Sequence, residues 1–318
     1  MATKSSRSDR GPRRAAGTAR GGGASAPAPG AGHVGLLRPG VRRRYEYEYE
    51  LYDDLSPGVD LIYGRNPVRE ALRGCRQVHT ILVALGEAGD ELLGPLRGWC
   101  EDPAGVMPPI DRVAPADLTA RLGTPDHQGI AAVVDPYPYV DADDLLRSHT
   151  LVVVLDGVQD PRNLGAIIRT AEAAQGGVII PRHGAAEVTG AVVKASAGAT
   201  EHAAVAMARN LSDFLEDAKK AGFWIYGAEA GAENVYSGQD YTYPTCFVLG
   251  SEGKGLRRRV ASFCDVMVRL PLFGKVESLN VSVSAAVLLY EALRQRDFAG
   301  GRETGGGSGT GGDRSRPG

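Results

Sequence analysis

The sequence predicts an α/β protein in which a small domain precedes a larger one built on a mostly parallel sheet. From Leu151 onward, short runs of continuous apolar residues alternate regularly with segments of helical periodicity. Strands that are apolar on both faces are typical of parallel sheets covered by helices on both sides. The length of 318 residues accommodates one large domain or two smaller ones.

Both ends of the chain have a composition that predicts disorder. Residues 1–44 contain ten Lys/Arg, one Asp and few large apolar residues, and residues 299–318 are rich in Gly. Such segments bury too little apolar surface to offset the entropy of ordering. We therefore predict a disordered basic tail over residues 1–58 and a disordered Gly-rich tail over residues 298–318.

Charge, hydropathy and cysteine usage limit the class of protein. The first 44 residues contribute +9 to a net charge of −2, so a basic arm is attached to a body of charge −11. A basic arm favours polyanions such as nucleic acid, and a solubilising tail explains it equally well. We find no apolar run of about 18 residues and no signal peptide, so we expect a cytoplasmic protein without membrane contact. The four cysteines are far apart and lack a histidine at ligand spacing, which predicts free thiols and no metal site.

The first domain is predicted over residues 59–135. A strand followed by a helix is predicted in "VDLIYGRNPVREALRG", with Asn66 as the N-cap and Pro67 at the first helical position. Further strands are predicted in "VHTILVAL", "GVMPPIDRV" and "GIAAVVDPY", with helices in "DELLGPLRGWCED" and "APADLTARLG". Residues 136–149 are rich in Pro and Asp and are predicted to be a linker.

The second domain is predicted over residues 150–297. Its strands are predicted in "LVVVLDGV", "GGVIIP", "HAAVAMA", "GFWIYGAEA", "TCFVLG" and "CDVMVRLPL". Its helices include "NLGAIIRTAEAAQ", "NLSDFLEDAKKAG" and "LNVSVSAAVLLYEALRQR". Ligands of such sheets bind beyond the carboxyl ends of the strands, so the chemistry is expected in the loops that follow the strands.

The loop after the first of these strands, "LDGVQDPRNLGAIIRTAEAA", opens a helix with polar residues at its start. Gly165 lies one turn before Arg169 on the same face, so Arg169 is expected to lie over a patch cleared by this glycine and to point toward Asp160 and Asn163. A glycine in the first turn costs roughly 1 kcal/mol relative to Ala, which indicates that another group approaches the backbone there. An asparagine cap with a solvated arginine explains the same residues.

Two further loops combine glycine or polar residues with a helix start. In "FVLGSEGKGLRRRV", glycines bring backbone N–H groups close to a ligand, although a tight turn explains them too. In "PLFGKVESLNVSVSAAVLLY", Ser278 is predicted to cap a helix that begins near Asn280. That helix is apolar nearly all round, so we expect it to be buried inside the domain or against a second subunit.

Together, the order and spacing of three segments resemble the SpoU (TrmH) family of RNA ribose 2′-O-methyltransferases, within the knotted SPOUT class. The segments are "DPRNLGAIIRTA" (160–171), "FVLGSEGKGL" (247–256) and "LPLFGKVESLNVSVSAA" (270–286). The first domain, from "IYGRNPVREAL" to "HQGIAAVV", resembles the small substrate-binding domain of many members, which is similar to a ribosomal L30-type protein. The resemblance spans about residues 60–297.

The resemblance implies a fold, a cofactor and a set of site residues. The family forms a deep trefoil knot and binds S-adenosylmethionine in it, largely through main-chain groups. On this sequence the implied cofactor contacts are Gly250, Leu270 and Leu279. The implied catalytic positions are Asn163, Arg169, Glu252, Ser278 and Asn280. No metal is implied.

The resemblance also implies partners and a target. Family members are homodimers with the last helix at the interface and an RNA site shared between subunits. The small first domain favours rRNA, with a guanosine of 23S rRNA as the expected target. A tRNA, or a ribosomal adenosine methylated for antibiotic self-protection, stays open. A non-catalytic RNA-binding assembly factor is the alternative of another class, and the intact set of catalytic positions disfavours it.

Overall fold

The computed structural model describes residues 58–99 and 107–296. The predictions for the two tails and for Cys100 lie outside these ranges. The other three cysteines, Cys75, Cys246 and Cys264, are free thiols. Within the described ranges, every helix is too short or too polar to cross a membrane, and no group of three or more His, Cys, Asp or Glu side chains is arranged to hold a metal ion.

The first domain is a four-stranded sheet with three helices in the described chain. Its elements are β1 (Asp60–Tyr63), α1 (Arg65–Arg73), β2 (Val78–Ala84), α2 (Glu87–Trp99), β3 (Ile110–Val113), α3 (Pro115–Leu122) and β4 (Ile130–Val134). The strand order is β1-β4-β2-β3, in which only β2 and β3 run parallel.

The start of α1 differs from the prediction. The helix begins at Arg65, so Asn66 lies inside it, and the N-cap is Gly64 at a φ of 101°. The side chain of Gln128 accepts a hydrogen bond from the Arg65 N–H at 3.1 Å. A distant side chain therefore satisfies the helix start, and this contact cannot be read from local sequence.

Residues 136–149 are not an extended linker. The Tyr137 hydroxyl donates to the Ala203 carbonyl at 3.0 Å, which fixes the segment to the second domain. Helix α4 (Ala142–Ser148) follows, and the Asp141 side chain caps it by accepting from two backbone N–H groups. Leu145 is buried in the core of the second domain. The aspartates that indicated a linker are thus the cap and first turn of a packed helix.

The second domain contains a seven-stranded sheet. Its further elements are β5 (Leu151–Asp156), α5 (Pro161–Ala173), β6 (Gly177–Pro181), α6 (Gly190–Ala195), a 3₁₀ turn (Ala199–Glu201), β7 (Val205–Ala208), α7 (Leu211–Lys220), β8 (Trp224–Ala228), β9 (Asn234–Val235), a second 3₁₀ turn (Tyr236–Gly238), β10 (Thr245–Gly250), α8 (Arg258–Ala261), β11 (Val266–Arg269) and α9 (Val281–Gln295). The strand order is β7-β6-β5-β10-β8-β11-β9, and every pair is parallel. The predicted α/β class with a mostly parallel sheet is confirmed. The trefoil knot stays a prediction.

Alternate residues of the central strands enter cores on the two faces of this sheet. Val153 and Leu155 of β5 pack with α5 and α9, whereas Val152 and Val154 pack with α4 and α7. This double burial explains the continuous apolar strands of the sequence. It also fixes β5 and β10 side by side at the centre, so that the loops following them lie at the same edge.

Helix α9 is only partly covered by its own chain. Val281, Ala285, Leu288 and Leu289 are buried, as their spacing predicts. On the other side of the helix, the side chains of Val283 and Tyr290 are each 47% exposed. Burial all round, which the sequence predicted, is therefore not reached within one chain.

Candidate functional site

The three loops singled out by the sequence meet at the carboxyl edge of the parallel sheet. Asp156, the last residue of β5, pairs with Gly250, the last residue of β10. The loop after β5 leads into α5, and the loop after β10 is the Gly-rich turn. The start of α9 reaches the same place because α9 packs against α5. Parallel pairing thus brings together residues that are far apart in sequence.

The Gly-rich turn is folded back on itself. A β-carbon built on Gly250 would lie 2.1 Å from the Gly255 carbonyl carbon, so no larger residue fits there. Ser251 and Gly255 form an isolated antiparallel bridge. Gly253 and Gly255 have φ values of 76° and 65°, in the left-handed region that glycine adopts without strain. The glycines therefore serve the geometry of a tight turn, which presents Glu252 at its tip.

Asp156, which lies outside the predicted site residues, holds this turn in place. Its side chain is fully buried and accepts from the Arg257 backbone N–H at 2.8 Å and from Arg257 Nε at 2.6 Å. The bond to the main chain anchors the far end of the Gly-rich turn to β5. A carboxylate that ends an otherwise apolar strand was the available signal, since a buried charge is expected to have a partner.

Three of the predicted catalytic residues form one hydrogen-bonded group. Asn163 Nδ2 donates to Glu252 Oε1 at 3.0 Å, and Asn280 Nδ2 donates to the same oxygen at 3.0 Å. Asn280 Nδ2 also lies 2.9 Å from Asn163 Oδ1. Among the described residues, Glu252 Oε2 accepts no hydrogen bond. One carboxylate oxygen is thus fixed by two amides while the other stays available.

Ser278 does not have the predicted capping role. The N-cap of α9 is Asn280, whose Oδ1 accepts from the Ser282 N–H at 2.9 Å and from Ser282 Oγ at 2.6 Å. Ser278 lies two residues before the cap, outside the reach of the first-turn N–H groups. Its side chain is exposed and makes no hydrogen bond with a described residue, and it lines the larger of two clefts described below.

Arg169 also differs from its predicted position. A β-carbon built on Gly165 would lie 2.6 Å from the Ala195 β-carbon and 2.8 Å from the Val192 carbonyl oxygen. The patch cleared by Gly165 is therefore filled by α6, and Arg169 does not lie over it. The Arg169 side chain is exposed, has no ion pair or hydrogen bond with a described residue, and lines neither cleft.

Two clefts adjoin at the hydrogen-bonded group. The smaller, of about 250 Å³, lies on the α5 side, and its own lining residues are Gly157, Val158, Gln159, Asp160 and Asn163. The larger, of about 430 Å³, extends under the chain that precedes α9, and its lining includes Glu229, Gly250, Leu270, Leu272, Ser278 and Leu279. Both clefts share Ser251, Glu252, Lys254 and Val281. The Glu252 carboxylate therefore stands at the boundary between them.

The larger cleft has the chemistry of a nucleoside-type cofactor site. Backbone groups of residues 270–279 make no hydrogen bond with the backbone of another described residue, so their main-chain donors and acceptors are available to a ligand where this stretch lines the cleft. Leu270 and Leu279 add apolar surface suited to a planar base, and Glu229 adds a carboxylate suited to a cationic group. The residues present fit the cofactor that the resemblance implies.

Comparisons with known proteins agree with this geometry. Residues 150–290 match the SpoU rRNA Methylase family, and residues 61–140 match the RNA 2′-O ribose methyltransferase substrate binding domain. A protein of Staphylococcus haemolyticus named as a TrmH family tRNA/rRNA methyltransferase is 36% identical over 247 residues, covering 76% of this chain and 97% of that relative. The chain belongs to the SpoU/TrmH family of tRNA/rRNA methyltransferases. It is thus an RNA methyltransferase by family, with the substrate-binding domain in front.

Other relatives and solved structures extend the comparison. A tRNA/rRNA methyltransferase of Mycolicibacterium paratuberculosis is 42% identical over 244 residues, covering 75% of this chain and 78% of the relative. One of Synechocystis is 39% identical over 254 residues, covering 77% of this chain but only 65% of the relative. The crystal structure of the SpoU methyltransferase AviRb from Streptomyces viridochromogenes, in complex with AdoMet, has a TM-score of 0.63 at 28% identity and covers 80% of this chain and 99% of AviRb.

Proposed function

We propose that this SpoU/TrmH methyltransferase transfers a methyl group from S-adenosylmethionine to a ribose 2′-hydroxyl of RNA. The observation that carries the proposal is the convergence of Asn163, Glu252 and Asn280, from three separate loops, on the boundary between two clefts. A group-transfer site needs two adjoining subsites with polar groups at their junction. The AdoMet complex of AviRb supports the choice of cofactor.

The larger cleft is assigned to the cofactor. Gly250, Leu270 and Leu279 are proposed to hold it through main-chain groups and apolar contacts. When bound, S-adenosylmethionine would supply an electrophilic methyl group to the hydroxyl oxygen, with the C–S electron pair staying on a neutral thioether sulfur and the hydroxyl proton released to solvent. The smaller cleft, lined by Asp160 and Asn163, is assigned to the ribose.

The chain's own residues are proposed to orient the hydroxyl. Asn163 and Asn280 fix Glu252 through Oε1, which directs the available Oε2 toward the junction of the clefts. Ser278, on the wall of the larger cleft, is proposed to contact the reacting groups from the other side. Arg169 is proposed to stabilise the developing oxyanion and to bind the adjacent phosphate, because a guanidinium is not deprotonated in proteins and so does not act as the base.

Arg169 is proposed to act in the cleft of a second subunit. From Asn163 to Arg169 the helix advances roughly 9 Å and turns to a different side, so the arginine does not serve the cleft of its own chain. The half-exposed Val283 and Tyr290 lie on α9, the helix that packs against α5. An apolar face on α9 and an unpaired arginine on the neighbouring α5 support a two-fold homodimer in which each subunit completes its partner's site.

A mixing experiment tests this arrangement. Arg169→Ala and Glu252→Ala are expected to be inactive alone. When the two are unfolded, mixed in equal amounts and refolded together, half of the dimers are mixed, and each has one complete site. Roughly one quarter of wild-type activity should then return. If the mixture is as inactive as the two single variants, the active site is not shared between subunits. If sedimentation shows a fully active monomer, the homodimer is contradicted.

The proposed target is a guanosine of 23S rRNA, in the cytoplasm. Residues 59–135 are proposed to bind the RNA, residues 150–297 to catalyse, and the arm of residues 1–44 to add contacts that are independent of RNA sequence. The presence of the substrate-binding domain supports rRNA, although the relatives are named for both tRNA and rRNA.

Mass-spectrometric mapping of ribose methylation in rRNA and tRNA from a deletion strain tests the target. Loss of one 2′-O-methylguanosine from 23S rRNA is expected, and loss from tRNA contradicts the proposed target. Calorimetry with S-adenosylmethionine separates an enzyme from a purely RNA-binding assembly factor, because such a factor would not bind the cofactor.

A further inference from the structure

Two arginines stand side by side just beyond the carboxyl ends of β6 and β7. Pro181 of β6 pairs with Ala208 of β7, and the Arg182 N–H donates to the Ala208 carbonyl at 2.9 Å. The parallel register therefore continues for one more residue, which sets Arg182 beside Arg209. Both side chains are exposed.

Neither arginine is neutralised by the described chain. Arg182 and Arg209 have no ion pair and no side-chain hydrogen bond with any residue in the described ranges. At the opposite edge of the same sheet, by contrast, Arg147 pairs with Asp144, Lys219 with Asp265 at 2.5 Å, and Lys220 with Asp217 at 2.9 Å. Like charges placed side by side on neighbouring strands destabilise a sheet unless an anion lies between them.

The loop that Arg182 opens approaches the smaller cleft. A β-carbon built on Gly157, which lines that cleft, would lie 3.9 Å from the carbonyl oxygen of Gly184, in the loop that Arg182 opens. On the far side of the cleft, Lys254 lines both clefts, is exposed and has no described ion pair. We name Arg209, Arg182 and Lys254 the basic edge.

The strand order sets the length of the basic edge. Arg209 follows β7, Arg182 follows β6, the cleft follows β5 and Lys254 follows β10. Four neighbouring strands at about 4.8 Å spacing give a span of about 15 Å, which crosses the site from one side to the other. The body that carries this edge has a net charge of −11, and the carboxylates of Asp160 and Glu252 line the cleft between its ends, so the three cations are not part of a generally basic surface.

We infer that the basic edge binds the sugar-phosphate backbone of the RNA on one side of the target nucleotide. This inference rests on the proposed function and adds the path of the RNA strand. Arginine pairs with phosphate through two parallel hydrogen bonds, which suits Arg182 and Arg209. A protein partner is disfavoured because the neighbouring His183, Gly184 and Asn210 provide no apolar anchor.

The salt dependence of RNA binding tests the inference. We compare the full-length wild type with the Arg182→Gln/Arg209→Gln double variant, using a labelled single-stranded RNA of about 16 nucleotides. Each lost phosphate contact reduces the slope of log K against log salt by about 0.7, so the double variant should show a slope smaller by about 1.4. Affinity for S-adenosylmethionine, measured by calorimetry, should stay at the wild-type value.

Arg147→Gln/Lys220→Gln is the matched control, since it removes two exposed charges from the opposite edge of the same domain. This control should keep the wild-type slope. The inference is overturned if the Arg182→Gln/Arg209→Gln variant keeps the wild-type slope. It is also overturned if this variant still binds RNA like the wild type but no longer binds polyglutamate, because the basic edge would then serve an acidic protein partner. Transfer of tritiated methyl groups by the wild type to 23S rRNA or bulk tRNA tests the proposed function separately. If no methyl group is transferred to either RNA, the proposed function is contradicted, independently of the salt dependence of RNA binding.

Discussion

Asn280 performs two roles with one side chain. Its Oδ1 accepts from the Ser282 N–H and caps α9, while its Nδ2 donates to Glu252 and lies against Asn163. Serine can replace the first role, because a hydroxyl is a good N-cap, but not the second at the same reach. The two roles can therefore be separated by choosing the substituent.

We predict that Asn280→Ala and Asn280→Ser differ in stability and agree in activity. The alanine variant should lose about 1 kcal/mol of unfolding free energy, because the cap is lost, and the serine variant should lose only a few tenths. Both should lose about tenfold or more in kcat, because Glu252 loses one of its two amide donors. Denaturant unfolding and methyl-transfer assays measure the two effects. If the serine variant keeps both stability and kcat while the alanine variant loses both, Asn280 only caps the helix.

Asp156 is predicted to position the Gly-rich turn for cofactor binding. Asp156→Asn removes the charge that holds Arg257, and the affinity for S-adenosylmethionine should fall by about tenfold, equivalent to about 1.4 kcal/mol. Asp265→Asn is the control, because Asp265 likewise accepts from a backbone N–H, that of Ile225 at 2.9 Å, but at the other edge of the sheet. Calorimetry should show wild-type cofactor affinity for the control. Equal losses in both variants would indicate a general effect on folding.

These residues show which site features the sequence could predict. Asn163, Glu252 and Asn280 were predicted by resemblance, and their mutual hydrogen bonds agree with a common site. Asp156 lies outside the three motifs; its place at the end of an apolar strand indicates a need for a partner, but that partner is 101 positions away and cannot be identified from local patterns. Ser278 was predicted to cap α9 because a serine before an apolar run is the usual signal, yet the asparagine two residues later takes that role.

At the level of elements, Gly165 belongs to the packing of α5 against α6. In an open helix, Gly165→Ala would stabilise the protein by about 1 kcal/mol. Here the new β-carbon would approach Ala195 and the Val192 carbonyl within 2.8 Å, and backbone atoms cannot move aside cheaply. We predict a net loss of about 1–3 kcal/mol in unfolding free energy. A stabilised Gly165→Ala variant in thermal or denaturant unfolding would show that α6 does not pack closely there.

The predictability of elements followed their length and their local signals. Long, strongly periodic segments such as α5 and α9 were predicted well, because one buried stripe sets their pattern. Helix α6 has six residues and β9 has two, and such short pieces have no detectable period. The Asp and Pro content of residues 136–149 predicts a linker, whereas Asp141 caps helix α4. Pairing between distant strands, which builds the site, follows from tertiary structure and not from these local patterns.

At the level of the whole molecule, a buried ionic network joins the two domains. Arg76, in the first domain, donates to both carboxylate oxygens of Glu201 in the second, each at 3.1 Å, and to Asp60 at 3.3 Å. The Arg76 and Glu201 side chains are only 3% and 0% exposed. Burial raises the pKa of the Glu201 carboxyl, and the charge of Arg76 opposes this rise without cancelling it. The substrate-binding domain is thus fixed to the catalytic domain by a pair that requires both partners.

Removal of Arg76 alone should therefore cost stability in a pH-dependent way. Arg76→Met leaves Glu201 buried without its cation, so the folded-state pKa of Glu201 rises further above its unfolded value of about 4.3. A raised carboxyl pKa favours the folded state while the group is protonated, and this advantage is lost as the pH rises through the folded pKa. We predict a loss of about 3–5 kcal/mol at pH 8 and a smaller loss at pH 4, measured by denaturant unfolding.

The double variant Arg76→Met/Glu201→Met separates the buried charge from the packing. It replaces the charges of Arg76 and Glu201 with apolar groups of similar length, so it should recover most of the stability and lose the part of the pH dependence of Arg76→Met that comes from Glu201. If the two variants are equally unstable at every pH, the domains are held by shape and apolar contact alone. Recovery of stability with weaker RNA binding would mean that the ionic pair sets the angle at which the first domain presents the RNA to the catalytic edge.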